Sequence, residues 1–312
     1  MITARLVRRT AALLAALAAA ALAAGAVGRA LPAAAPAVMP LGRGLNMDIY
    51  LLDLARGVFA NLSKNALWDG DPAVSPDGRQ VAYASLDGGG ASLYRYDLDT
   101  GQAHRLTDGT AGSGEPHWSP DGLRLVFSAS PPGSRQDVFV MNADGSGQRR
   151  LTDYPGGDYT PRWSPDGLRI AFVSDRQGNP ADIYVMDANG SRPRRLTYHP
   201  GYDIHPAWSP DGAWLAFASD RDGSLNLYRL PTACLESAAG CEAENPRRLT
   251  RWGVNIGDLW WSADGAAVLF WERSIGTPEL HRLQVDCDIR PGGCIPQRLT
   301  HLGRSLTLMN TR

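Results

Sequence analysis

Lysine is almost missing from this chain: Lys64 is the single one among 312 residues, so nearly all of the 31 basic groups are arginine, set against 32 acidic groups for a formal net charge of −1. Without a surplus of positive charge, neither a nucleic-acid clamp nor a polybasic membrane-surface binder is expected. The arginine bias reads as genome composition rather than chemistry. A Gly-x-Ser-x-Gly elbow is absent, and the serines that recur along the chain occupy turn positions, so nucleophilic catalysis has no evident owner. Gly88-Gly89-Gly90 is not followed by a helical pattern, which excludes a phosphate-cradling loop. Core-forming residues are plentiful, at 44% hydrophobic with 9 Trp, and this argues against disorder. The length suits two ordinary domains or one large all-β domain.

Long apolar runs are confined to the N-terminus. Arg5, Arg8 and Arg9 precede an alanine-rich stretch from Ala11 to Val27, then small residues and the proline-containing segment Leu31 to Pro40. This is the order of an export signal. Residues 1–30 are therefore expected to be a signal peptide cleaved near Ala26 or Ala30, the alternative being an uncleaved N-terminal anchor and the chain's one membrane contact. A spanning helix needs about twenty strongly apolar residues, so anchoring by this stretch is marginal. Export places the mature protein in the periplasm, the cell envelope or the extracellular space, where thiols oxidise. The four cysteines fit: Cys234 and Cys241, then Cys287 and Cys294, repeat one C-x6-C spacing. Two local disulfides are the simplest of three possible pairings, each worth about 2.5 kcal/mol by loop closure. A four-thiolate zinc site competes, although zinc ligands are usually spaced more closely.

Internal repeats define the architecture. Ser75-Pro76-Asp77-Gly78 recurs at Ser119, Ser164 and Ser209, and with one change as Ser262-Ala263-Asp264-Gly265, at spacings of 44, 45, 45 and 53 residues. Trp118, Trp163, Trp208 and Trp261 precede four of these turns, and a short apolar run follows each. A third run, as in Asp182-Ile183-Tyr184-Val185, and a fourth marked by Arg-Leu-Thr at Arg105, Arg150, Arg195, Arg248 and Arg298, complete each unit. Asn61-Leu62-Ser63 fills the same slot in the first. Four short antiparallel strands per unit, with Trp-rich faces that no thin sheet can bury alone, give an all-β six-bladed β-propeller. Once-per-blade tryptophans read as packing between sheets.

Six Arg-Leu-Thr slots accompany five turns, so one blade must be shared between the termini. Each Thr slot lies 12 residues before the next Ser, and 12 residues beyond Thr300 is Arg312. Residues 306–311 are thus expected to supply an innermost strand that closes the ring against three strands within residues 34–63, the second-strand slot falling on Ala34 to Pro40. Such closure removes open edges.

The repeats resemble the TolB-like β-propeller family, whose signature is similar to Pro161 to Gly167, Ser174 to Gly178, Asp182 to Met186 and Arg195 to Thr197 in this chain. The resemblance covers about residues 46–300 and implies residues 31–312 to be a TolB-like propeller. TolB itself carries an additional N-terminal α/β domain, for which the expected signal and first blade leave no room. Propellers of the prolyl-oligopeptidase class are similar too, but those work beside a hydrolase domain with a nucleophile elbow. Fold likeness alone assigns no activity.

Residues just before each innermost strand should gather at one channel mouth. There stand Asp69, Asp158 and Asp203 in one register, and Asp71, Glu115 and Asp258 two residues later. Converging carboxylates would favour Ca²⁺ or a basic peptide; single Asp residues that cap their own turns are the plainer reading. His117 and His205 lie nearby as conceivable metal ligands, or as packed residues. Asp220 to Asn226 has the flavour of a calcium loop but lacks the distal Glu and occupies a hairpin slot. The expectation is a non-enzymatic, monomeric, exported module that binds a protein or peptide and needs no cofactor, with no nucleic-acid partner. A metal-dependent hydrolase or lactonase at the mouth, and a structural envelope scaffold, are the alternatives.

Overall fold

A computed structural model describes residues 37–300, except 44–45, 54–57, 66, 88, 179, 238–240, 242–244, 252, 254, 273–278 and 287–293. The expected export segment and the closing strand at 306–311 lie outside the described residues, as does Cys287.

The fold is an all-β, six-bladed β-propeller built of four-stranded antiparallel blades. Blade 1 is described as three strands, Ala37–Arg43, Asn46–Asp53 and Val58–Asn61. The inner strands of blades 2 to 6 are Asp69–Val74, Ser113–Trp118, Asp158–Trp163, Asp203–Trp208 and Ile256–Trp261. Each leads outward through three further strands to the Arg-Leu-Thr segment. In blade 1 the strand expected at Ala34 to Pro40 is seen from Ala37 and runs on to Arg43. Pairing with the next strand continues from Ala37↔Leu52 to Arg43↔Asn46, so the backbone ladder carries the strand past Pro40.

Two side-chain devices explain why these segments form strands of this length. In every Ser-x-Asp-Gly turn the serine hydroxyl donates to the aspartate, as in Ser164 Oγ to Asp166 at 2.5 Å, and accepts the amide five residues on, as from Arg169 at 2.9 Å. The glycine, at φ near +70° in all five copies, takes the left-handed step that other residues resist. At the far edge, the threonine of each Arg-Leu-Thr accepts an amide near the start of strand three. Leu93, Val138, Ile183, Leu227 and Leu280 donate to Thr107, Thr152, Thr197, Thr250 and Thr300 at 2.8–3.0 Å. Ser63 does the same for Ile49 at 2.9 Å, which puts Asn61-Leu62-Ser63 in the slot its spacing predicted.

The described residues pack as two compact units, one up to Pro116 and one from His117 on. In the first, Ile49 and Leu62 of blade 1 pack with Val81, Tyr83 and Tyr96 of blade 2. In the second, apolar layers fill the spaces between successive blades: Val126, Trp163 and Phe172 between blades 3 and 4, Ile183, Phe217 and Tyr228 between 4 and 5, and Leu227, Trp261 and Phe270 between 5 and 6. The tryptophans are packing residues, and two also tie blades together: Trp208 and Trp261 donate their indole N–H to the carbonyls of Arg162 and Ala207 one blade earlier. Cys234 and Cys241 form a disulfide beside the one short helix among the described residues, Thr232–Glu236. Cys294 is also disulfide-bonded.

Candidate binding site on the inner strands

Each inner strand presents three alternate positions, six, four and two residues before the serine of its turn. A proline follows the middle position in four blades, as Pro72, Pro116, Pro161 and Pro206. Proline cannot donate to a ladder and is tolerated in a sheet mainly at a bulge. Register breaks occur there in blades 2, 4 and 5, between Gly70 and Ala73, Tyr159 and Arg162, and Ile204 and Ala207. The residues before those prolines, Asp71, Glu115, Thr160 and His205, all adopt φ between 48° and 54°. Four non-glycine residues in the left-handed region at one repeated position are a strained, re-aimed set. Asp258 shares the position but precedes Leu259; its strand breaks register without a positive φ.

The first-position acids are each held by a nearby side chain. Asp158 is fully buried, and Nη2 of Arg176 donates to both of its carboxylate oxygens, at 3.0 and 2.9 Å. Asp203 is matched in the same way by Arg221, at 3.0 and 2.9 Å. Both arginines come from the Ser-Asp-Arg loop of their own blade, and Arg176 also lies 4.2 Å over the Tyr154 ring. Blade 2 has Ser85-Leu86-Asp87 at that loop, without an arginine, and its Asp69 is held instead by Asn65 at 2.8 and 3.1 Å.

The later positions are where blades meet. Within residues 1–116, Asp71 accepts the Glu115 amide at 3.3 Å, joining inner strands of blades 2 and 3. Within residues 117–312, Arg162 of blade 4 reaches past blade 5 to Asp258 of blade 6, 2.7 Å away. Arg162 is 11% exposed and Asp258 44%, so the pair has one face toward solvent. Protein atoms packed around Asp258 oppose its ionisation, but the Arg162 charge, His205 and the Leu259 amide together hold its carboxyl below the usual range. His117 sits under the same cation. Burial first, and the Arg162 charge second, push its pKa down to about 3, leaving a neutral imidazole whose Nδ1 accepts the Trp163 amide at 3.3 Å. The proton of that neutral ring then belongs on Nε2.

Of the six candidate acids, then, Asp258 is joined to a cation from another blade, Asp71 to the backbone amide of Glu115 on a neighbouring strand, and Asp69, Asp158 and Asp203 to nearby side chains. Among the described residues no three His, Cys, Asp or Glu side chains come together as a metal cage. The Asp220 to Asn226 loop spends its oxygens on the fold: Asp220 accepts the Tyr202 amide at 2.7 Å, and Asp222 is engaged by Tyr228 and by Arg248. Arg162, Arg176 and Arg221 were not foreseen. A signal existed for two of them, since the Ser-Asp-Arg loop recurs in the blades whose first-position acid it neutralises.

Comparison with known proteins agrees with this architecture. Residues 180–288 match the TolB beta propeller domain family, and residues 135–213 the Tricorn protease N-terminal beta propeller domain. The structure is similar to that of TolB from Acinetobacter baumannii, at a TM-score of 0.68 and 22% identity over 80% of this chain. It spans 61% of that protein's length. A candidate TolB from Agrobacterium tumefaciens matches at 0.65 and 21% identity, over 85% of this chain and 89% of that one. An oligogalacturonate lyase in complex with manganese matches at 0.56 and 19% identity, over 81% and 70%. No curated protein sequence matches significantly. These likenesses show a TolB-like propeller fold.

Proposed function

We propose that this protein is an exported, non-enzymatic binding module that recognises a protein segment or peptide at the inner strands around Arg162 and Asp258. The observation that carries the reading is the Arg162–Asp258 pair, in which blades 4 and 6 meet through opposite charges with the carboxylate half open to solvent. Asp158 and Asp203 are already neutralised, so residues 117–312 offer a matched pair rather than a bare acidic rim. The fitting segment brings a basic side chain to Asp258 beside a carbonyl or carboxylate for Arg162. TolB-like architecture and the Cys234–Cys241 disulfide support an exported binding role.

Panning a displayed random peptide library against the full chain tests this. Enriched peptides should carry Lys or Arg, and calorimetry should show about tenfold weaker binding to Asp258→Asn and to Arg162→Met. No enrichment, or equal binding to both variants, would reject the site.

A further inference from the structure

In three blades a tyrosine on the third strand sits opposite the arginine of the Arg-Leu-Thr segment: Tyr94 with Arg105, Tyr184 with Arg195, Tyr228 with Arg248. In two of them the hydroxyl has an aspartate from the preceding loop. Tyr94 donates to Asp87 at 2.7 Å, and Arg105 lies 3.1 Å from the same carboxylate. Tyr228 donates to Asp222, which Arg248 also holds at 2.8 Å.

Blade 4 departs from the pattern. Aligning Ser174-Asp175-Arg176-Gln177 with Ser219-Asp220-Arg221-Asp222 places Gln177 where blade 5 has its carboxylate. Gln177 Oε1 accepts from Arg195 at 3.0 Å, and Arg195 finds its charge partner on the third strand, Asp182, at 2.7 Å. The Tyr184 hydroxyl, on a residue only 3% exposed, is left with no hydrogen-bond partner. A buried donor without an acceptor costs free energy, and native structures contain few.

Tyr184 lines a cavity of about 330 Å³, within the size range of small-ligand sites. Gln177, Arg195, Tyr198, Leu235 and the Cys234–Cys241 disulfide also line it. Arg194, an exposed cation, stands at the lining as well. Relative to blades 2 and 5, the tyrosine here has lost its acceptor, while the carboxylate that pairs with the arginine has moved from the loop to Asp182 on the third strand. We propose that the cavity binds the carboxylate of an organic acid, Tyr184 donating to it, Arg194 supplying positive potential, and Leu235 and the disulfide covering the hydrocarbon part. Burial raises the Tyr184 pKa above its ordinary value, so the hydroxyl remains a donor at neutral pH.

The test is a calorimetric titration of the full chain with benzoate, phenylacetate and butyrate, each against its neutral amide, at up to about 10 mM, since so small a pocket supports affinities near the millimolar range. A capped peptide with one central Glu, against its Gln analogue, asks whether the carboxylate belongs to a free acid or to a partner's side chain. Expected are binding by an acid form, little by the amide, and about tenfold loss in Tyr184→Phe, which removes only the unsatisfied hydroxyl. Gln177→Asp, rebuilding the arrangement of blade 5, should likewise weaken binding and raise the melting temperature. Binding of the Glu peptide alone supports the carboxylate site and assigns its source to a partner. No binding by any acid, equal binding of the amides, or unchanged binding to both variants would overturn the proposal.

Discussion

Asp158 and Arg176 show how much a single inner-strand charge depends on its partner. The carboxylate is fully buried and the guanidinium is 6% exposed, so deleting either one strands a charge in a poorly solvated place. Arg176→Ala is expected to lower stability by about 3–5 kcal/mol in chemical denaturation, and Asp158→Leu combined with Arg176→Met to recover much of that. A loss under about 1 kcal/mol in the single variant would mean the pair is not desolvated as described. The two registers of acids were legible in the sequence as an offset of two residues, but their fates were not. Own-blade arginines could have been inferred from the repeated Ser-Asp-Arg loop. Arg162 with Asp258 could not, because the two are 96 residues apart and no other blade has an arginine at the position of Arg162.

The blade is held by its turn and its clasp more than by strand length, since the outermost strands of blades 2 to 6 are only two or three residues long. Thr197 is 2% exposed and gives the Ile183 amide its acceptor at 3.0 Å. Thr197→Val keeps the shape and removes the acceptor, so thermal and urea unfolding should show a loss of about 2 kcal/mol. A change within about 0.5 kcal/mol would show that the clasp is replaceable by water. Strand order and the Thr slot, including the degenerate Asn61-Leu62-Ser63, were readable because the spacing from each clasp to the next turn is constant at 12 residues. The bulge was not, because an alternating pattern assumes an unbroken ladder; the prolines after Asp71, Glu115, Thr160 and His205 were its visible mark. The extension of the first strand to Arg43 escaped notice for a related reason, since Pro40 looked like an end and backbone pairing carried the strand beyond it.

Across the whole molecule, near-neutral net charge conceals opposing pH contributions. His117 is held near pKa 3 against about 6.5 when unfolded, so the unfolded chain binds a proton that the fold refuses. Stability is therefore complete above about pH 6.5 and falls progressively toward pH 3. Asp258 and the turn aspartates Asp121, Asp166 and Asp211, all depressed, add losses as pH drops below the ordinary carboxylate range. Asp137 and Asp182 act with the opposite sign: burial raises both against their arginines, so their contribution is present at low pH and is lost as pH rises through the folded values. Melting temperature against pH should fall between about 6.5 and 4 in the native chain and flatten there in His117→Gln; an unchanged slope would refute a neutral buried imidazole. Recognition at the inner strands is tested most directly by hydrogen–deuterium exchange of the full chain with and without a selected peptide. Slowed exchange should fall on residues 158–163, 203–208 and 256–261, and vanish in Asp258→Asn. Protection confined to the outer strands, or retained in that variant, would contradict binding at Arg162 and Asp258.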